Sequence, residues 1–205
     1  MELAVTLFDF FNITGLVAFA VSGVYKGTGK ELDILGVSIL GFLTALGGGI
    51  MRDVIVNRIP VALTGYSDVS FAIGGIAMGI LLYRVFQIDI SSRTIVKIFD
   101  AIGLAAFTVT GALVGIKSEL NVVGIIIVAV LTGTGGGMIS DLLIGEVPSI
   151  LREDVYATCA MLGGLLLFIL HKLSVPLQLA MFITLFFTLG FRLLAIFKNW
   201  HLPRF

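Results

Sequence analysis

Seven apolar stretches, each about as long as a membrane-spanning helix, restrict the fold of this chain more than any other feature of the sequence. A helix needs about 20 mostly apolar residues to cross the hydrocarbon core of a bilayer. About 58% of the 205 residues are hydrophobic and 13% are charged, whereas roughly a quarter of the residues in soluble domains are charged. The sequence therefore predicts an all-α integral membrane protein with seven transmembrane helices. The predicted spans are residues 8–25, 32–51, 69–86, 94–116, 122–144, 155–170 and 176–197.

The basic residues predict how the chain is oriented in the bilayer. An odd number of spans places the two termini on opposite sides, and cytoplasmic loops are enriched in Lys and Arg. We therefore predict an outside N-terminus and a cytoplasmic C-terminus in the plasma membrane. This choice puts Lys26, Lys30, Arg84, Arg93, Lys97, Arg152, Arg192, Lys198 and Arg204 inside, and only Arg58, Lys117 and Lys172 outside. Aromatic anchors at the membrane interfaces are predicted at Tyr25, Tyr66, Tyr83, Tyr156 and Trp200.

The charge and the scarce reactive residues argue against several classes of function. Basic and acidic residues balance at 13 each without a Lys/Arg-rich block, so nucleic acid is not an expected partner. One cysteine, Cys159, and two histidines, His171 and His201, provide neither a disulfide framework nor zinc-ligand spacing. An enzyme is the least favoured class, because no nucleophile with a base, no metal set and no cofactor loop can be assembled.

The sequence contains an internal repeat. A shift of 88 residues aligns residues 12–63 with 100–151 without a gap and with about 19 identities. Each unit contains three spans, so the second copy would enter the membrane from the opposite face, as in the inverted repeats of many transport proteins. We predict one transmembrane domain over residues 1–205, with repeat 1 at about 8–87, repeat 2 at about 96–173 and a seventh helix at about 175–198.

A glycine triplet lies inside the second span of each repeat. Each glycine costs a helix about 1 kcal/mol relative to Ala, so a bend or break is expected in both helices. Broken helices at membrane depth are tolerated where they line a water-filled cavity. The alternative is that the glycines only allow neighbouring helices to pack closely, as the GxxxG pairs at Gly23, Gly75 and Gly111 are expected to do. The predicted kink residues are Gly47, Gly48, Gly49, Gly135, Gly136 and Gly137.

Ionisable residues follow each triplet within one helical turn. Arg52 and Asp53 follow the first, and Ser140 and Asp141 follow the second. Ionisable side chains at the centre of a span cost at least roughly 2.5 kcal/mol each and mark ion pathways or internal pairs. We predict a polar cluster in which Arg52 can bridge Asp53 and Asp141, with a net charge that suits a passing cation. The alternative is that these residues snorkel to the interface as anchors or packing clamps.

Hydroxyl residues at matched positions are further candidates for the lining of a path, where their oxygens would contact a partly dehydrated ion. Each of them can instead donate to the carbonyl four residues earlier in its own helix. The predicted pore-lining hydroxyls are Ser22, Thr44, Thr110, Thr132 and Thr134.

Two segments carry a resemblance to a known family. LGGGIMRD from Leu46 to Asp53, with Pro60, and TGGGMISD from Thr134 to Asp141, with Pro148, resemble the prokaryotic trimeric intracellular cation (TRIC) channels. The likeness covers nearly the whole chain. It implies a homotrimer in the lipid bilayer, with a pore in each protomer, helices two and five kinked at the glycines, and passive conduction of potassium and some sodium. We predict no cofactor and no tightly bound metal, only the transported ions and bound lipid. Ser140 departs from the Arg-Asp pair that many prokaryotic relatives have in both copies.

Three functions stay open from the sequence. A cation channel is the first. A secondary transporter of a small zwitterion such as glycine is the second, because inverted repeats with broken helices also suit alternating access and helix N-termini attract carboxylates. A membrane scaffold that uses its glycines only for packing is the third.

Overall fold

The computed structural model describes residues 2–86, 93–152 and 155–200, and all the regular elements in these ranges are helices. Within these ranges, six helices are long and apolar enough to cross a membrane, and the apolar helix Tyr156–Lys172 is shorter. Arg204 and His201 lie outside the described residues. The helices are α1 (Glu2–Thr28), α2 (Ile34–Ile55), α3 (Val61–Thr64), α4 (Ser67–Phe86), α5 (Arg93–Lys117), α6 (Val122–Leu143), α7 (Ser149–Arg152), α8 (Tyr156–Lys172) and α9 (Leu177–Phe197).

The order of elements from α1 to α4 recurs from α5 to α8, and matched residues begin the matched helices. Asp33 caps α2 by accepting a hydrogen bond from the Gly36 amide at 2.7 Å, and Asn121 caps α6 by accepting one from the Gly124 amide at 2.8 Å. A short side-chain acceptor at this position satisfies an amide that has no partner within the helix. The same local sequence therefore starts the second long helix in both halves of the chain.

The centre of the bundle is formed by four helices, α1, α2, α5 and α6. α1 packs against α2, α4 and α5, while α5 packs against α1, α6, α8 and α9. The spanning window of α5 is 83% buried inside the protein and that of α4 only 22%. α4 therefore lies at the periphery on one side, and α8 and α9 cover the other side.

Two phenylalanines at matched positions, Phe19 of α1 and Phe107 of α5, fill the middle of this centre. Their rings meet edge to face with centroids 5.2 Å apart, and both are buried. Each ring lies against a glycine of the other helix: Phe19 against Gly103, where a Cβ would lie 2.7 Å from the ring, and Phe107 against Gly15. The missing side chains thus allow α1 and α5 to approach closely.

The glycine triplets do not interrupt their helices, so the predicted breaks are wrong. α2 is helical from Ile34 to Ile55 and α6 from Val122 to Leu143. Gly48 faces the Thr132 carbonyl and Gly136 faces the Thr44 carbonyl, closer than any Cβ would allow. The first two glycines of each triplet therefore bring the two backbones into contact, as the packing alternative predicts. A kink within the continuous helices stays a prediction.

Candidate functional site

Buried and half-buried polar residues gather in two places, one at the C-terminal end of α2 and the other at the C-terminal end of α6. We call them the first and the second cluster. The first cluster contains Asn12, Arg52, Asp53 and Asp68, and the second contains Lys26, Asp100, Ser140, Asp141, Tyr156 and Arg192. Matched positions of the repeat contribute to both, because the shift of 88 residues carries Asn12 onto Asp100, Asp53 onto Asp141 and Asp68 onto Tyr156.

In the first cluster, Asp53 ties the end of α2 to the start of α3. Its Oδ1 accepts from Arg52 Nε at 2.8 Å, and its Oδ2 accepts from the Val61 amide at 3.1 Å. The carboxylate therefore lies at the N-terminus of the short helix, where free amides favour negative charge. Asp53 is 4% exposed and Arg52 2%. The two residues therefore form an internal pair and are not interfacial anchors.

The rest of the first cluster comes from α1 and α4. Asn12 Nδ2 donates to Asp68 Oδ1 at 3.0 Å. The Arg52 guanidinium lies 5.8 Å from the centre of the Phe8 ring, and its Nη1 is buried without a hydrogen-bond partner among the described residues. Asp68 lies within electrostatic range of Arg52 and Asp53.

In the second cluster, Asp141 resembles Asp53 in the partner of one carboxylate oxygen and differs from it in the partner of the other. Its Oδ2 accepts a hydrogen bond from the Ser149 amide at 2.7 Å, just as Asp53 Oδ2 accepts one from the Val61 amide. Its Oδ1 accepts from Lys26 Nζ of α1 at 2.7 Å. The predicted bridge from Arg52 to Asp141 is therefore wrong, since Ser140 occupies the matched arginine position and a lysine from the other half of the chain supplies the cation.

Lys26 is the member of the candidate site that the sequence interpretation missed most clearly. Its Nζ lies 3.3 Å from Ser140 Oγ as well as 2.7 Å from Asp141, although the sequence suggested only an inner-loop charge. Next to it, Lys30 Nζ pairs with Glu146 Oε1 at 2.7 Å. Two ion pairs therefore join the end of α1 to the end of α6.

Asp100, Tyr156 and Arg192 complete the second cluster. Tyr156 Oη donates to Asp100 Oδ1 at 3.1 Å, and the Arg192 guanidinium lies 4.7 Å from the centre of the Tyr156 ring. The prediction of Tyr25 and Tyr156 as interfacial anchors is wrong, because both are buried inside the bundle. The repeat itself is the feature that would have found Asp100 and Tyr156, since their matched positions in the first half carry Asn12 and Asp68.

The third glycine of each triplet faces a cluster rather than the other helix. A Cβ at Gly137 would lie 3.5 Å from Tyr156 Oη, 3.8 Å from Asp100 Oδ1 and 3.9 Å from Lys26 Nζ, and a Cβ at Gly49 would lie 3.8 Å from Arg52 Nη2. These are ordinary contact distances. A methyl group at Gly49 or Gly137 would therefore touch the charged groups without a clash, in contrast to the close-packed pairs that precede them.

The predicted pore-lining hydroxyls are all buried, and four of them donate within their own helices. These four bonds run from Thr44 to Leu40 (2.7 Å), Thr110 to Phe107 (3.2 Å), Thr132 to Val128 (2.6 Å) and Thr134 to Val130 (2.8 Å). Ser22 instead reaches the Val96 carbonyl of α5 at 3.5 Å. The four threonines therefore bond within their own helices, as the alternative interpretation expects. A role for these hydroxyls in lining a pore stays a prediction.

Comparison with known proteins identifies the family. The model of a family described as "Glycine transporter" matches residues 9–84 and again 97–172. UPF0126 membrane protein YvgT of Bacillus subtilis is 35% identical over 195 residues, which cover 95% of each chain. UPF0126 inner membrane protein YadS of Escherichia coli is 35% identical over 93% of this chain and 91% of that protein.

Solved structures show the same fold. One, from a study of conductance through TRIC cation channels, has a TM-score of 0.84 and 39% identity over 96% of both chains. The chain belongs to the TRIC channel family. A TRIC orthologue from Rhodobacter sphaeroides superposes with a TM-score of 0.86 and 30% identity, over 95% of this chain and 100% of that one. These likenesses establish a multi-pass, all-helical integral membrane protein whose structural neighbours are TRIC cation channels, not enzymes.

Proposed function

We propose that this chain is a passive channel for monovalent cations, permeable to potassium and to some sodium, with a pore in each protomer of a homotrimer. The observation that carries the proposal is the pair of carboxylate-containing clusters, which lie at opposite ends of the α2–α6 crossing and border Gly49 and Gly137. The similarity to TRIC cation channels over nearly the whole chain supports it.

The charges of the two clusters favour cations. The first cluster sums to −1, from Arg52 (+1), Asp53 (−1) and Asp68 (−1), and the second sums to 0, from Lys26 and Arg192 (+2) and Asp100 and Asp141 (−2). A path lined by this set presents carboxylates at both ends and a net charge of −1 over both clusters, which attracts cations and repels anions.

We propose seven spans in two inverted repeats, with α8 as the sixth crossing. The double match of one family model at an offset of 88 residues supports the duplication. At 1.5 Å per residue, the 17 residues of α8 extend roughly 25 Å, so this crossing requires a locally thin bilayer or snorkelling at its ends. His171 and Lys172 in its last turn are suited to such an adjustment. We place the protein in the plasma membrane with its N-terminus outside.

Single-channel recording of the purified protein in planar bilayers under a potassium chloride gradient tests the proposed conduction. We expect discrete current steps that reverse near the potassium equilibrium potential, and a smaller permeability for sodium. Silence at all voltages and lipid compositions would contradict a channel.

A secondary transporter of a small amino acid is the second candidate, favoured by the description of the matching family as glycine transporters. Uptake of labelled glycine into proteoliposomes separates the two candidates. A transporter would accumulate glycine along an ion gradient and saturate, without unitary currents.

A further inference from the structure

Each cluster is joined to a turn of the same kind, which ends the long helix. After α2, Asn57 has a left-handed backbone (φ 56°), and the Arg58 amide donates to the Asp53 carbonyl at 2.8 Å. After α6, Gly145 is left-handed (φ 69°), and the amide of the next residue donates to the Asp141 carbonyl at 2.9 Å. This pattern is the Schellman motif, which fixes the direction in which the chain leaves a helix.

The segment beyond each turn returns to the same carboxylate. We call residues 54–64 the first arm and residues 142–151 the second arm. The first arm brings the Val61 amide to Asp53 Oδ2 at 3.1 Å. The second arm brings Ser149 to Asp141 Oδ2 through its amide at 2.7 Å and its hydroxyl at 2.9 Å. Each arm is thus bonded to its aspartate at the backbone and at the carboxylate, so a displacement of the arm changes a hydrogen bond of the carboxylate.

Aliphatic side chains on both arms are exposed, and they occupy matched positions of the repeat. Leu63 is 72% exposed, and Leu151, which the shift of 88 residues places on it, is 76% exposed. The other exposed pairs are Val54 with Leu142 and Ile55 with Leu143. Large apolar side chains that are exposed at the same places in both copies indicate an apolar environment that both arms share.

The bilayer provides this environment at both ends of the protein. α2 and α6 each contain 22 residues, which extend roughly 33 Å at 1.5 Å per residue and so match a hydrocarbon core of about 30 Å. The arms follow these helices and therefore lie at the two edges of the core, one in each leaflet. Tyr66, which is 90% exposed just beyond the first arm, and the exposed Arg58 are side chains typical of the headgroup region. A protein partner would have to cover both faces of the membrane to explain the same pattern.

We propose that lipid chains contact the aliphatic side chains of both arms, and that the thickness of the bilayer thereby acts on the carboxylates of Asp53 and Asp141. A bilayer thicker or thinner than the protein strains the contacts at the edges of the protein. The arms transmit this strain, because each is bonded twice to its aspartate. An effect on conduction rests on the proposed function, whereas the lipid contact and the change in hydrogen bonding do not.

The two arms should respond unequally. Asp53 holds the first arm by one side-chain hydrogen bond at 3.1 Å. Asp141 holds the second arm by two shorter bonds, from the amide and the hydroxyl of Ser149. The first arm is therefore the more weakly held of the two, and a change in bilayer thickness should release it first.

Fluorescence quenching tests the contact with lipid. Trp200 is the single tryptophan of the chain, so Leu63→Trp or Leu151→Trp in a Trp200→Phe background places the only indole on one arm. In vesicles of phosphatidylcholine brominated on the acyl chains near the headgroup, we expect at least twofold lower emission than in unbrominated lipid. Quenching by aqueous iodide alone would mean that the arm faces water, and quenching by neither agent would mean that a second copy of the chain covers it. Either result would overturn the proposal.

Hydrogen–deuterium exchange of the full-length protein tests the coupling. The protein is reconstituted in phosphatidylcholine with monounsaturated chains of about 14 to about 22 carbons, a series that varies the hydrophobic thickness of the bilayer. The segment containing Val61 should exchange most slowly where the hydrocarbon core is about 30 Å thick, and at least tenfold faster at one extreme of the series. The segment containing Ser149 should change less. Exchange at Val61 that is the same in all lipids would contradict the coupling.

Matched variants locate the coupling in the arm. Val54→Ser/Leu63→Ser removes apolar contacts of the first arm, so it should abolish the dependence of Val61 exchange on chain length and leave Ser149 exchange as in the natural protein. Leu81→Ser, at an exposed position of α4 away from both arms, should change neither. A dependence at Val61 that persists in the double variant would refute the assignment. The experiments measure no ion flux, so their failure leaves the proposed conduction standing, and silent channels leave the coupling standing.

Discussion

Lys26 of α1 and Asp141 of α6 form an ion pair of 2.7 Å that joins the two halves of the repeat. The matched carboxylate in the first half, Asp53, is paired instead with Arg52 of its own helix at 2.8 Å. Both halves of the repeat thus keep the carboxylate and its contact with the following short helix. The cation that pairs with the carboxylate comes from the same helix in the first half and from α1 in the second. One end of the bundle is therefore tied across the repeats, and the other is tied within one helix.

The ion pair between Lys26 and Asp141 should contribute to the free energy of unfolding. Lys26→Met leaves Asp141 buried without its cation, and breaking a buried pair in this way costs about 3–5 kcal/mol. The double variant Lys26→Met/Asp141→Asn should cost less than the sum of the single changes, with a coupling energy on the order of 0.5–3 kcal/mol. Unfolding of the detergent-solubilised protein measures both quantities.

The neighbouring pair of Lys30 and Glu146 provides the control. Its side chains are 42% and 32% exposed, so solvent screening should reduce the cost of Lys30→Met to about 0–1 kcal/mol. Equal costs for the two lysine variants would mean that Lys26 contributes no more than a surface pair.

The carboxylate of Asp141 should contribute to ion preference. Asp141→Asn removes one negative charge from the second cluster and leaves Lys26, so the potassium-to-chloride permeability ratio should fall several-fold. Reversal potentials under a potassium chloride gradient measure the ratio. Glu119→Gln, an exposed carboxylate in the α5–α6 loop, should not change it. An unchanged ratio in Asp141→Asn would remove this carboxylate from the path.

Local sequence was sufficient to predict the long helices. Apolar length located these helices, and the shift of 88 residues aligned positions that the structure then shows in matched roles, such as the caps Asp33 and Asn121. The membership of the TRIC family followed from the triplets and the residues after them.

The partners within the clusters could not be predicted, because they depend on contacts between distant helices. Lys26 lies 115 residues from Asp141, and nothing near either residue indicates the other. The prediction of helix breaks was wrong for a related reason. Helix propensity treats each glycine as destabilising, whereas the backbone contact between Gly48 and Thr132 requires a residue without a side chain.

The glycines of one triplet should therefore respond differently to the same substitution. Gly48→Ala places a methyl group against the Thr132 carbonyl, and Gly136→Ala places one against the Thr44 carbonyl. Overpacking of this kind typically costs about 1–3 kcal/mol, and both variants should lower the melting temperature. Gly49→Ala meets Arg52 Nη2 at 3.8 Å, so it should fold normally and alter only conduction. Equal melting temperatures for all three would show that the triplets do not set the α2–α6 distance.

The orientation can be tested with single cysteines, because the natural one, Cys159, is buried and can be replaced by Ser. With the N-terminus outside, the α2–α3 loop faces outward and the end of α9 faces the cytoplasm. In a Cys159→Ser background, Ile59→Cys should react with a membrane-impermeant maleimide in intact cells, since Ile59 is 74% exposed. Lys198→Cys should react only after the cells are opened. The reverse pattern would invert the assigned topology, and it would place the Lys26–Asp141 pair at the outer face, where it would meet ions that enter the cell.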